Sequence, residues 1–409
     1  MSKKIFETEE KMQEWLSSNL KIVDCFRDLI INEDDFGDLE TTSLVETKIL
    51  KSYQHCLSSL GLVSIISENE NISLKEGDSL KPDLLLYAPE TESIVIVELK
   101  NLASPSRQVG TEISAYASEI KSYIPFISEG DIINVIFSSV WTTLIKHYVF
   151  HEIFWLQRNI ICLEPCEFEG KIGLRIVDIS TLIDNEVSLK LSSQHLGGYQ
   201  ICMYDYSSKD KDRLDPFLEQ MKTAMAAITS KGNSQKNHGF AFLWKDHWDL
   251  SIAPYSITIL NFAPFNSLER LLHNEDFEPN EITERFFNIV KEYSPEGHGK
   301  SLDEISASAD KFLNAFCRPR TEGFTTWDSL KGSMINSSTL ISFNSWGIFD
   351  ELFSEKLYIE YKKGNTNISS TDPQLGLQLI NELVDPNYEF YNLTYYDYDR
   401  DEDNEMPSC

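Results

Sequence analysis

Residues 81–100 read KPDLLLYAPETESIVIVELK and predict two short β-strands joined by a turn. The first strand is Asp83 to Tyr87, and the second is Ile94 to Val97. The second is β-branched throughout, which is typical of a strand covered on both faces. Pro89 and its polar neighbours have the composition of a turn. If the hairpin folds about the Glu90-Thr91 bond, residues whose numbers sum to 181 face each other.

This register places Asp83 directly opposite Glu98, where Cβ atoms lie roughly 4.5–5.5 Å apart. Alternation along the strand puts Lys100 on the same side as Glu98. Two carboxylates at a buried strand end repel each other and are costly to desolvate unless a cation lies between them. Mg²⁺, with Mn²⁺ as an alternative, suits such oxygen ligands. The pattern predicts a metal-dependent phosphodiesterase centre; the other interpretation is a solvent-exposed hairpin end with ordinary charges.

In that centre Asp83 and Glu98 bind the ion, and Lys100 stabilises the attacking water or the charge that develops on the phosphate. A third acid comes from the segment Thr42 to Leu60, which predicts a helix with one apolar face. Glu46 falls in the middle of that face and therefore needs a partner, for which a metal site is one candidate and solvent is the other. Gln108 to Tyr123 predicts a further helix, whose polar start can point back toward the strand ends.

Pro82-Asp83 and Glu98-Leu99-Lys100 resemble the motif of the PD-(D/E)xK, or restriction-endonuclease-like, phosphodiesterase superfamily. Glu46 matches the additional helical acid that many members carry. Glu112 and Tyr116 are similar to the Gln-x3-Tyr element of the RecB-like branch, with Glu where that branch has Gln. The resemblance covers about residues 40 to 180.

The resemblance implies a Mg²⁺-dependent nuclease that hydrolyses phosphodiester bonds, with DNA favoured over RNA as the substrate. It assigns catalysis to Asp83, Glu98, Lys100 and Glu46, and metal binding to the three acids among them. It further implies substrate contacts for Arg107, Gln108, Glu112 and Tyr116. By analogy with such enzymes, we expect a regulated restriction or phage-defence effector. The alternative is a catalytically silent nuclease fold that serves as an interaction module, although the chain keeps all three motif residues.

The order of predicted elements is α-β-β-β-α-β-α-β, which suits an α/β fold with a restriction-endonuclease-like mixed sheet flanked by helices. We expect N-terminal helices in residues 1–40, from Ile5 to Asn19 and from Ile22 to Ile31. The nuclease domain follows in residues 41–190. Residues 199–409 are expected to form a second α+β, mainly helical domain for regulation or partner binding, with an acidic C-terminal tail.

The net charge of −29 bears on the partners of a nucleic-acid enzyme. Residues 1–190 carry 17 Lys and Arg against 31 Asp and Glu, and residues 191–409 carry 19 against 34. Affinity for duplexes comes mostly from phosphate neutralisation, so neither half offers a basic domain. We therefore expect a protein partner, or a homo-oligomer, to supply part of the basic surface that binds DNA.

The chain contains no apolar run of about 18 residues, which predicts no membrane span. Seven scattered cysteines favour a reducing compartment, and together these features predict a cytoplasmic protein. A zinc site from His147, His151, Cys162 and Cys166 is a weaker alternative, because C-x3-C is not the usual knuckle spacing. The segment 244–249, WKDHWD, predicts an exposed turn with its tryptophans against the core, or a base-stacking site.

Overall fold

The computed structural model describes residues 5–23, 25–37, 39–41, 44–101, 109–183, 187–190, 193–205, 211–263, 281–293, 299–324, 326–384 and 389–393. These residues divide into two compact units. The first contains the described residues up to Val187 together with 391–393, and the second contains those of Ser188–Phe390. None of the described helices is long and apolar enough to cross a membrane.

The first unit is an α/β unit with a six-stranded mixed sheet. Its strands are β1 (Ser64–Glu68), β2 (Leu84–Ala88), β3 (Ser93–Lys100), β4 (Ile132–Ser138), β5 (Ile160–Phe168) and β6 (Lys171–Ile176). Its helices are α1 (Glu9–Val23), α2 (Leu44–Ser58), α3 (Val109–Tyr123), α4 (Thr143–Phe150) and α5 (Ile179–Leu182). The predicted order of elements and the mixed sheet are confirmed.

The sheet runs β1 to β6 in chain order. Strands β1, β2 and β3 are antiparallel, β3, β4 and β5 are parallel, and β6 returns antiparallel to β5. The apolar runs of β3 and β4 explain their central position, because all of β4 and all of β3 before Lys100 are buried. In the β2–β3 hairpin, Leu84 pairs with Val97 and Ala88 with Ser93, which confirms the predicted register.

The N-terminal segment differs from its prediction in two ways. Helix α1 packs against β1 and β3 of the first unit, so it belongs to that unit. The predicted helix from Ile22 to Ile31 is wrong. Cys25 instead forms an isolated bridge to Leu62, Ile30 forms one to Leu174, and Arg27–Leu29 between them is a 3-10 turn. Backbone partners from neighbouring segments satisfy this stretch, so it does not need to form a helix.

The predicted helix from Thr143 to Asn159 is shorter in the structure. It is α4 followed by a π-helical turn, His151–Trp155. Cys162 and Cys166 are buried free thiols on β5. Among the residues described, no group of three or more His, Cys, Asp and Glu side chains could hold a metal ion, so the weaker zinc interpretation gains no support.

The second unit is built on a five-stranded antiparallel sheet with the order β11-β8-β10-β9-β12. Its strands are β8 (Leu196–Tyr204), β9 (Gly239–Asp246), β10 (Tyr255–Phe262), β11 (Arg318–Gly323) and β12 (Ser338–Trp346). The shorter strands β7 and β13 are Val187–Lys190 and Glu389–Leu393. Its helices are α6 (Leu218–Ser234), α7 (Glu281–Tyr293), α8 (Gly299–Leu313), α9 (Trp327–Ser337), α10 (Ile348–Lys362) and α11 (Pro373–Leu383).

Both faces of the second sheet are covered. On one face Ala241 and Leu243 of β9 lie in a core with residues of α6 and α8. On the other, Phe240 and Phe242 pack against Trp327 of α9. Within the WKDHWD segment, Trp244 is buried and donates a hydrogen bond to Thr258, whereas Trp248 is exposed. One tryptophan of that segment is therefore a core residue, as predicted, and the other is not.

Candidate active site

The candidate site lies where β2 begins and β3 ends. Asp83 immediately precedes β2, and continuing the observed register by one pair places it opposite Glu98. Glu98 is only 3% exposed. Ile94 and Ile96 of β3 pack in a core with Tyr116 of α3, and alternation puts Glu98 on that same face. The predicted cross-strand arrangement of the two acids thus follows from the observed strand pairing.

Asp83 is held by hydrogen bonds through both its side chain and its main chain. Its Oδ2 accepts a hydrogen bond from the backbone N–H of Leu99 at 2.7 Å. Its carbonyl oxygen accepts one from Nε2 of Gln13 at 2.9 Å and one from the backbone N–H of Asn69 at 3.1 Å. Because three elements converge on it, the carboxylate has little freedom to turn away from β3.

Lys100 forms an ion pair with Glu98 at the end of β3. Its Nζ donates to Oε1 of Glu98 at 2.5 Å, and Oε2 of Glu112 lies 3.4 Å away. The lysine side chain is 13% exposed and that of Glu112 is 32% exposed. The other carboxylate oxygen of Glu98, Oε2, is buried and has no hydrogen-bond partner among the described residues. One lysine therefore serves two acids, and a buried carboxylate oxygen is left unsatisfied.

The electrostatics of the site reflect this excess of acid. Burial first, and then the neighbouring Asp83 carboxylate, raise the pKa of Glu98 to about 8, although Lys100 opposes them. Burial likewise raises the pKa of Asp83 to about 6, although the Leu99 N–H and Lys100 oppose this. For Lys100, burial disfavours the charged form, but Glu98, Glu112 and Asp83 together raise the pKa above the ordinary value. The lysine is therefore protonated at neutral pH.

The predicted substrate contacts have different positions in the structure. Arg107 and Gln108 lie outside the described residues. Glu112 is in the first turn of α3 and contacts Lys100. Tyr116 is 5% exposed, and its hydroxyl donates to the backbone carbonyl of Lys81 at 2.9 Å. Of these four residues, the structure brings Glu112 and Tyr116 to the site, and both contact groups of the chain itself.

Besides Glu112 of α3, a second helical acid reaches the site from α1. Glu9 is among the groups that raise the pKa of Asp83, and its Oε1 accepts from the backbone N–H of Asn101, the residue after β3. Glu46 is half-buried in α2, which packs against β5, and β4 lies between β5 and β3. The groups that most affect the pKa of Asp83 and Glu98 include Glu9 and Glu112, and do not include Glu46.

Sequence reasoning missed Glu9 and Gln13. Both lie on α1, where acidic and amide side chains are ordinary surface residues, and their spacing of four residues is common on any helix. Their role depends on α1 packing over β1 and β3, and the hydrogen bonds that result join residues 70 and 92 positions apart in the chain. No local pattern in the sequence indicates this contact.

The chemistry of this pair suits a hard cation. Asp83 and Glu98 carry oxygen donors, and Oε2 of Glu98 has no hydrogen-bond partner among the described residues. Mg²⁺ commonly binds proteins through one or two carboxylates. The arrangement can bind a hard cation next to a protonated lysine.

Comparison of the chain with family models, with characterised proteins and with solved structures found no match in any of the three. The motif resemblance therefore remains a prediction.

Proposed function

We propose that this chain is a metal-dependent nuclease of the PD-(D/E)xK, restriction-endonuclease-like type, and that DNA is its substrate. The observation that carries the proposal is the pairing of β2 with β3, which puts Asp83 opposite a buried Glu98 whose partner is Lys100. A buried pair of acids with a single lysine is costly to fold and has no evident structural use. Strained electrostatics of this kind are typical of functional sites.

Asp83 and Glu98 are the residues that would hold Mg²⁺ or Mn²⁺. A cation bound there supplies Lewis acidity toward a phosphate oxygen and neutralises the two carboxylates. Both acids are kept in place without it. The Leu99 N–H holds Asp83 and Lys100 holds Glu98, so the site needs little rearrangement to accept the ion.

Lys100 acts on the substrate in this proposal. Its ammonium group is protonated at neutral pH and can donate hydrogen bonds to the negative charge that develops on the scissile phosphate. Glu112 also accepts a hydrogen bond from Lys100, at 3.4 Å, and this second contact restrains the ammonium group. Removing the ammonium group should lower turnover more than cation affinity, because the lysine is not a ligand.

The acidic balance of the chain bears on how it reaches DNA. With −29 overall, long-range attraction to a duplex is weak, and a protein partner or a second copy must contribute basic surface. Such dependence suits an enzyme held inactive until it is recruited, as in restriction or phage defence. The partner dependence and this role are part of the proposal.

The direct test is incubation of supercoiled plasmid with the purified protein in Mg²⁺, in Mn²⁺ and in EDTA. We expect nicking or linearisation with either cation, none in EDTA, and none by Glu98→Gln in any condition. Glu164→Gln is the matched control, since Glu164 is also a partly buried acid on the same sheet. Cleavage by Glu98→Gln at the parental rate would refute the assignment. A parent that binds DNA and cation without cutting would favour the silent interaction module.

A further inference from the structure

The main chain that carries Asp83 lies outside the β2–β3 ladder. Pairing between β2 and β3 begins at Leu84, and the residue before Asp83 is Pro82, which has no N–H to donate. Asp83 is nevertheless partly buried, and its carboxylate must face Glu98 for the two to share a cation. The backbone N–H of Asn69 extends the β1–β2 pairing to the Asp83 carbonyl, and the backbone N–H of Leu99 holds the carboxylate. Further bonds to this segment come from side chains outside the sheet.

Tyr116 supplies one such group from α3. Its ring is buried in a core with Leu85, Ile96 and Ile120, and its hydroxyl donates to the carbonyl of Lys81 at 2.9 Å. This bond holds the chain two residues before Asp83. Because the hydroxyl points to the backbone and the side chain is 5% exposed, Tyr116 is not placed to read a nucleic acid.

Gln13 supplies a second group from α1. Its Nε2 donates to the carbonyl of Asp83 itself at 2.9 Å, and α1 packs against β1 and β3. The Lys81–Asp83 main chain is thus bonded by two side chains from two different helices, one before and one after the proline. Neither bond belongs to regular secondary structure. Each uses a polar side chain at a position where packing alone would need only an apolar one.

We propose that Tyr116 and Gln13 are positioning residues that hold the Lys81–Asp83 main chain so that the Asp83 carboxylate faces Glu98. This inference rests on the proposed function, since its purpose is to preform the cation site. Groups that orient ligands in this way typically change metal affinity or activity by about 10–100-fold when removed. These bonds set the position of the main chain, and the Leu99 N–H then holds the carboxylate on it.

The test compares Tyr116→Phe and Gln13→Leu with two matched controls. Tyr123→Phe removes the same kind of bond from the same helix, because the Tyr123 hydroxyl donates to the carbonyl of Ile72 in the same β1–β2 loop at 2.8 Å. Gln54→Leu, on helix α2, removes a hydrogen bond that the side-chain amide of Gln54 donates to the carbonyl of Phe36 at 3.0 Å. Each variant keeps the volume of the side chain close to that of the parent.

The first measurement is the Mn²⁺ dissociation constant of each purified variant by electron paramagnetic resonance, which needs no turnover. We expect about 10-fold weaker binding for Tyr116→Phe and Gln13→Leu, and less than about twofold change for the two controls. In plasmid cleavage we expect the same two variants to lose kcat while KM stays unchanged. A Tyr116 that contacted the substrate would instead raise KM and leave Mn²⁺ affinity alone.

Unchanged Mn²⁺ binding in Tyr116→Phe and Gln13→Leu would overturn the inference, and so would equal losses in all four variants, which would indicate general loosening. If Tyr116→Phe does not fold, Gln13→Leu on α1 decides the question by the same measurement. A parent that binds no Mn²⁺ would refute the proposed function and this inference together. A parent that binds Mn²⁺ and cuts DNA, with parental behaviour in the variants, would refute the inference alone.

Discussion

Replacing Glu98 by Gln should leave the stability of the protein nearly unchanged at low pH and raise it at high pH. In the folded state burial and Asp83 raise the pKa of Glu98 to about 8, from an ordinary value of 4.5. Folding therefore favours the protonated acid. The stability that this provides is complete below pH 4.5 and is lost as the pH rises through 8, because the charged form must then be buried. Gln mimics the protonated form at every pH.

The magnitude follows from the two pKa values, which differ by about 3.5. Each pKa unit corresponds to about 1.36 kcal/mol, so burying the charged form costs on the order of 3–5 kcal/mol at pH 9. The Oε2 position has no partner among the described residues in the parent, and Gln leaves it in the same state, so this deficit cancels in the difference between the two proteins. Glu98→Gln should thus lie within about 1 kcal/mol of the parent at pH 5 and be about 3–5 kcal/mol more stable at pH 9.

The assay is urea unfolding of parent and variant in EDTA at pH 5, 7 and 9, followed by circular dichroism. Other groups titrate over this range, so the informative quantity is the difference between variant and parent at each pH. Glu167→Gln is the control, since it makes the same substitution at an exposed position on β5. A difference for Glu98→Gln that keeps the same sign and size from pH 5 to pH 9 would refute the reasoning from burial.

Three further outcomes are expected. Asp83→Ala should abolish Mg²⁺-dependent plasmid cleavage and leave the unfolding midpoint equal or higher, whereas Lys100→Ala should lower kcat with little change in Mn²⁺ affinity. Gel assays and Mn²⁺ titration distinguish the two variants, and a fully active Asp83→Ala would contradict the assignment. Mg²⁺ should raise the unfolding temperature more at pH 9 than at pH 5, because protons compete with the cation for Asp83 and Glu98. If thermal unfolding shows the same rise at both pH values, Asp83 and Glu98 are not the ligands. Catalytically inactive Glu98→Gln in Ca²⁺ should bind a short duplex weakly; tight binding that falls steeply with salt would show that the chain carries its own basic cleft.

Much of the first unit could be predicted from sequence because its signals are local. The β-branched run of β3 and the apolar run of β4 identify central strands, and the turn at Pro89 fixes β2 as a partner of β3 and the register between them. The helix predicted from Ile22 to Ile31 was wrong because the structure of this segment depends on contacts that are not local. Its periodicity suits a helix, but bridges from Cys25 to Leu62 and from Ile30 to Leu174 satisfy its backbone, and those partners are distant in the chain.

The residues of the candidate site also differ in how far local sequence predicts their position. Asp83, Glu98 and Lys100 follow from one hairpin, so the sequence was enough to place them. Glu46 was placed by an apolar stripe, and the stripe correctly indicates a buried helix face. It does not say which strand that face covers, and in the structure α2 packs on β5. A periodic pattern fixes the face of a helix and leaves its neighbour undetermined.

The location of the site has a topological cause. Strand β3 pairs antiparallel with β2 on one side and parallel with β4 on the other, so the sheet changes direction there. The end of β3 then meets the start of β2 and the end of β4. Asn101, just past that end, accepts from Ser139 after β4 and donates to Glu9 and to the carbonyl of Phe6. Polar side chains from the N-terminal segment are needed because strand ends leave backbone groups that the ladder cannot satisfy. The same segment that closes this end of the sheet also holds Asp83, which is why α1 belongs to the site although no motif lies on it.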